Sequence, residues 1–70
     1  MNNEAALYAY MAKMEAARVL IEALAEWAED MGGVSPDDVK WTHVGDLTET
    51  LKELRGAATW AGIDIEALQP

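Results

Sequence analysis

Residues 7–31 read LYAYMAKMEAARVLIEALAEWAEDM, with no proline or glycine among them. Within this stretch Leu7, Met11, Met14, Ala17, Ile21, Leu24, Ala28 and Met31 recur at steps of three or four residues. An α-helix turns once every ~3.6 residues, so these side chains share one face, and the spacing predicts a helix over residues 3–31. A rod of about eight turns is more than a third of a 70-residue chain. It cannot cover its own stripe. It is expected to fold against the rest of the chain and against a second copy.

The punctuation around this rod fits helix-start and helix-stop chemistry. Asn2 or Asn3 can cap the first amides, with Glu4 favourable to the dipole there. Gly32-Gly33 closes the helix, the first glycine suited to a left-handed position. Glu26, Glu29 and Asp30 oppose the dipole in the last turn, so that end is expected to fray or to be held by a partner.

Ser35-Pro36-Asp37-Asp38 opens a short turn over 36–39, inside a connection spanning 32–41. Val44, Leu47, Leu51, Leu54, Ala58 and Ala61 then predict a second amphipathic helix over 42–61, closed by Gly62. Gly45 and Gly56 lie inside it, and Gly56 with Ala57 and Ala58 makes a thin patch that another backbone can approach. A last helical turn is expected over 64–68, capped by Asp64, with Ile63 meeting Leu68 as a staple.

The expected fold is therefore all-α, a single domain over 1–70. It is an antiparallel two-helix hairpin with a short C-terminal turn, dimerising into a helical bundle. The first helix outreaches the second, leaving Leu7, Tyr8, Tyr10 and Met11 overhanging. Val19, Leu20 and Ile21 are consecutive, which widens the apolar surface. Leu7, Tyr10, Met11, Met14, Val19, Leu20 and Gly56 are the candidates for self-association.

Composition narrows the function. The absence of cysteine removes disulfides, thiolate metal sites and thiol nucleophiles, and fits a reducing, cytoplasmic setting. No apolar run is long enough for a membrane span or a secretory leader, and the start lacks a basic segment. Thirteen acids against five bases give a net charge of −8. That disfavours direct nucleic-acid binding and adhesion to anionic membranes, both of which need clustered Lys and Arg.

His43, the sole histidine, lies three residues before Asp46, and such a pair can share a metal. One pair falls short of a site, and no Glu-x-x-His is present, so a hydrogen bond to Asp46 or to the helix N-terminus is the simpler role. No nucleophile–base motif appears, and neither catalysis nor a cofactor is expected. Glu15, Glu22, Glu26 and Glu29 line one side of the first helix, and Asp46, Glu49 and Glu53 one side of the second. These are solvated faces, or else a ridge that docks on a basic groove or imitates nucleic-acid phosphates. Lys13, Arg18, Lys52 and Arg55 interrupt the ridge.

Three tryptophans are many for this length. Core packing is the ordinary role, with Trp27 near Trp41 and Trp60 against the first helix. An exposed Trp41 or Trp60 would instead anchor a partner. The sequence thus points to a non-enzymatic module that binds protein and itself. A structural dimeric subunit of a larger assembly and an acidic nucleic-acid mimic are the alternatives.

The segment Val39-Lys40-Trp41-Thr42-His43-Val44-Gly45-Asp46-Leu47, after Ser35-Pro36-Asp37-Asp38, resembles a Trp-x-His-Val-Gly-x-Leu stretch of small uncharacterised proteins from bacteriophages, prophages and some bacteria. It spans about 13 of the 70 residues. The resemblance implies a helix-turn-helix hairpin of mobile-element origin, working in the host cytoplasm. Trp41, His43 and Gly45 would form its corner, with the ring packed, the imidazole bonded and the glycine admitting a close neighbour. That group has no assigned activity, so no functional role carries over. For a phage protein, inhibition of a host protein, including anti-CRISPR or anti-restriction activity, is the expected use.

Overall fold

The computed structural model describes residues 3–68, and these are helical with no strand among them. The elements are helix α1 (Glu4–Glu29), a 3-10 turn at Met31–Gly33, a second at Pro36–Asp38, helix α2 (Trp41–Trp60) and a third turn at Ile65–Leu68. The chain divides into two compact units, residues 1–36 and 37–70.

In the first unit α1 runs ~39 Å at ~1.5 Å per residue. Ala, Glu, Leu and Met dominate it, and all four favour helix. Its N-terminus is simpler than expected. Asn3 occupies the cap position, but its side chain makes no capping bond, and its carbonyl accepts the Leu7 amide at 2.9 Å. Asn2 lies outside the described residues.

The other end stops two residues short of the expected boundary. Asp30 is the cap, and Met31, Gly32 and Gly33 follow with positive φ of 56°, 64° and 79°. Gly32 is left-handed as its type allows. Met31 is left-handed without that freedom, a conformation that costs an L-residue roughly 1–2 kcal/mol. The last turn carries no base, so its crowded carbonyls have nothing to draw the helix onward. The Trp27 indole lies over the turn, and a Cβ built on Gly32 would stand 3.1 Å from its Nε1.

The second unit centres on α2, ~30 Å long. It begins at Trp41, one residue earlier than expected, because Lys40 serves as the cap residue. The Lys40 amide donates to His43 Nδ1 at 2.9 Å, so the imidazole stands where a capping box usually has Glu or Gln. The hydroxyls of Thr48, Thr50 and Thr59 each donate to the carbonyl four residues back, at 2.8, 3.1 and 2.9 Å. No threonine of that set reaches outside its own helix.

Gly62 ends α2 with φ 81°. The Ile63 amide donates to the Ala58 carbonyl at 3.0 Å and the Gly62 amide to Thr59 at 3.0 Å, the paired bonds of a Schellman stop. Asp64 then caps the final turn as expected, accepting the Glu66 amide on Oδ1 at 3.2 Å.

Candidate interaction faces

No described residue is buried, and the apolar stripe of each helix is exposed along its length. On α1, Leu7, Met11, Met14 and Ile21 keep about half or more of their surface, while Leu24 and Trp27 keep the least among the large apolar residues. On α2, Val44, Leu47, Leu51 and Leu54 are likewise uncovered. Covering a half-exposed Leu or Ile contributes on the order of 1 kcal/mol, so two such stripes are a strong drive to associate.

Of the other self-association candidates, Tyr10 and Leu20 border the α1 stripe and are exposed. Val19 is exposed too, but at ~100° per residue it points about 160° away from Ile21, off the stripe. Gly56 is not part of the α2 stripe either. It points ~180° from Leu47, and a Cβ there would meet nothing within 4 Å.

The α1 acidic ridge is divided by charge pairing. Arg18 Nη2 meets the Glu15 carboxylate at 2.7 and 2.8 Å, and Nη1 reaches Glu22 Oε1 at 3.2 Å. Both pairs are exposed, so each contributes only ~0.3–0.5 kcal/mol. Their effect is electrostatic shape. Arg18 cuts the charge of the Glu15–Glu22 stretch from −2 to −1, and the negative charge is then densest at Glu26, Glu29 and Asp30. A shallow open depression of about 300 Å³ lies beside that end, lined by Glu29, Asp30, Met31, Gly33, Val34, Ser35 and Pro36.

Charges on α2 flank the stripe and adjoin at the back of the helix, where Lys52 and Glu49 are ~60° apart. At ~100° per residue, Lys52 and Arg55 lie about 80–140° to one side of Leu47, and Asp46, Glu49 and Glu53 lie about 100–160° to the other. None of these five is ion-paired among the described residues. Of the two readings of Trp41 and Trp60, the exposed one fits, while Trp27 packs over Gly32. Trp41 is 86% exposed and Trp60 93%, at the first and last positions of α2. Of the corner expected from Trp41, His43 and Gly45, the imidazole bond is present. The Trp41 ring is exposed, and Gly45 has no neighbour within 4 Å of a built Cβ.

His43 is half-buried, and its Nδ1 must be unprotonated to accept the Lys40 amide. Among the described residues no three His, Asp or Glu side chains stand close enough to hold a metal ion. No helix there is long and apolar enough to cross a membrane. No family model, curated protein or solved structure matches the chain.

Proposed function

We propose that this chain is a small, non-enzymatic protein-interaction module, an antiparallel two-helix hairpin that dimerises and docks on another protein. The observation that carries this reading is the pair of uncovered apolar stripes, one on each helix. Charge supports the antiparallel sense. In an antiparallel pair, flanks reached by turning the same way from each stripe face one another. On α1 that side carries Arg18 nearest the stripe and then Glu29, Glu22, Glu15 and Glu26, net −3, and on α2 it carries Arg55 and, farther round, Lys52, so the two sides are opposite in net charge.

The α1 ridge then serves the hairpin, and docking falls to the opposite flank of α2 with Asp46, Glu49, Glu53 and Trp60. Pairing of Glu15 and Glu22 with Arg18 counts against nucleic-acid mimicry, which needs an unbroken row of negative charge. The resemblance at residues 35–47 adds a mobile-element origin, under which the partner is a host protein and the use is its inhibition, anti-CRISPR or anti-restriction activity included.

Immobilised chain should retain a discrete protein from a bacterial lysate at low salt and release it as ionic strength rises. An eluate identical to that of a bare support overturns the interaction reading. Reversing Glu22, Glu26 and Glu29 together should lower dimer mass along with capture, while α1 stays helical. Capture lost with dimer mass unchanged would return the docking role to α1.

A further inference from the structure

We propose that the face of α2 formed by Glu49, Glu53, Gly56 and Trp60 docks an arginine-bearing basic segment of a partner protein, with a guanidinium stacked on the Trp60 indole. The proposal rests on the interaction-module reading and names the chemistry of its partner. These four residues follow steps of four, three and four, which places them in one row on a helix. The row lies about 120–180° round from Leu47, so pairing through the apolar stripe leaves it uncovered.

Three properties of the row select the occupant. Trp60 is 93% exposed, and its ring offers the best of the side-chain π faces to a cation. Glu49 and Glu53 are exposed and unpaired among the described residues, so the ring stands in a negative field. At Gly56 a Cβ would meet nothing within 4 Å, which leaves bare backbone between Glu53 and Trp60. A flat group can lie in that gap, stack on the indole and reach the Glu53 carboxylate. Guanidinium is planar and bonds carboxylates in bidentate fashion, whereas ammonium is a compact, strongly hydrated point charge. Anionic partners are repelled, and a purely apolar segment would strip water from two carboxylates without compensation. Arg55 lies on the other flank of the stripe, and Lys52 borders the row about 60° from Glu49, so the two carboxylates keep the row net negative, with Glu53 the one nearer Trp60.

The test uses the ¹⁵N-labelled full chain at low salt, a capped peptide of arginines spaced by alanines, and its lysine twin. The arginine peptide should move the Trp60 indole N–H signal and bind at least about fivefold more tightly than the twin. Trp60→Ala should weaken the arginine peptide about tenfold and erase the preference, while Trp60→Phe keeps part of it. Glu49→Gln with Glu53→Gln should weaken both peptides alike. Equal binding of the two peptides, or a Trp60→Ala variant that binds as the parent does, overturns the proposal in favour of diffuse charge attraction. An unmoved indole signal overturns it as well. Circular dichroism and light scattering on the same samples separate the two readings. Dimeric, helical chain that ignores arginine refutes this face alone, whereas loss of dimer mass in the parent chain strikes the hairpin-dimer reading.

Discussion

Helix α2 ends on Gly62, whose left-handed backbone lets Ile63 and Gly62 return amides to Ala58 and Thr59. Helix α1 ends at Glu29, in a turn whose first left-handed residue is a methionine. There the Gly33 amide reaches Asp30 at 2.9 Å and the Val34 amide reaches Met31 at 3.2 Å. The α2 stop is supplied by one residue of the right type. The α1 stop falls where three acids crowd carbonyls that already carry partial negative charge, just before left-handed Met31, Gly32 and Gly33, with Trp27 lying over Gly32. Two ends of the same handedness therefore differ in what holds them.

That contrast sets an order of sensitivity. Gly32→Ala should be the most damaging change at either end, because φ of 64° is strained for alanine and its Cβ would press on the Trp27 ring. A loss of about 2–3 kcal/mol is expected in thermal melts followed by circular dichroism. Combining it with Trp27→Ala should recover at least ~0.5 kcal/mol relative to the sum of the single changes, and strict additivity would remove Trp27 from the account of this turn.

Gly62→Ala should lose about 1 kcal/mol, less than Gly32→Ala, since φ is 81° there but space is open. An equal or greater loss would reverse the comparison. Met31→Gly should make the α1 end resemble the α2 end and stabilise it by ~0.5 kcal/mol, left-handed strain relieved outweighing a shortened apolar stripe. A lower melting temperature would show that Met31 matters more as a packing residue. The smallest effect belongs to Glu29→Lys, a gain of about 0.3–0.5 kcal/mol that shrinks in high salt. Indifference to salt would mean that charge does not set where α1 stops.

The same contrast explains what could be read from the chain alone. Both helices were legible, because their three-and-four spacing survives any arrangement of the rest. Gly62 and Asp64 were legible because each supplies what its position needs. The α1 boundary was not, since Gly32 advertises a left-handed site while nothing in Met31 does. Lys40 escaped as a cap because the bond runs to the ring of His43, three residues on, and capping signals are usually sought in Ser, Thr, Asp and Asn. Arg18 could be foreseen from its spacing to Glu15 and Glu22. For Trp60 residue type leaves both a core role and an exposed anchor open, and its distance of thirteen positions from Leu47, ~140° off the stripe, favours the exposed one.

The two uncovered stripes must find cover. Light scattering over a wide range of protein concentration, with circular dichroism on the same samples, addresses this directly. Helical material with twice the 7.6 kDa mass of the chain is the predicted result. A fully helical single copy that persists at the highest concentration would contradict it.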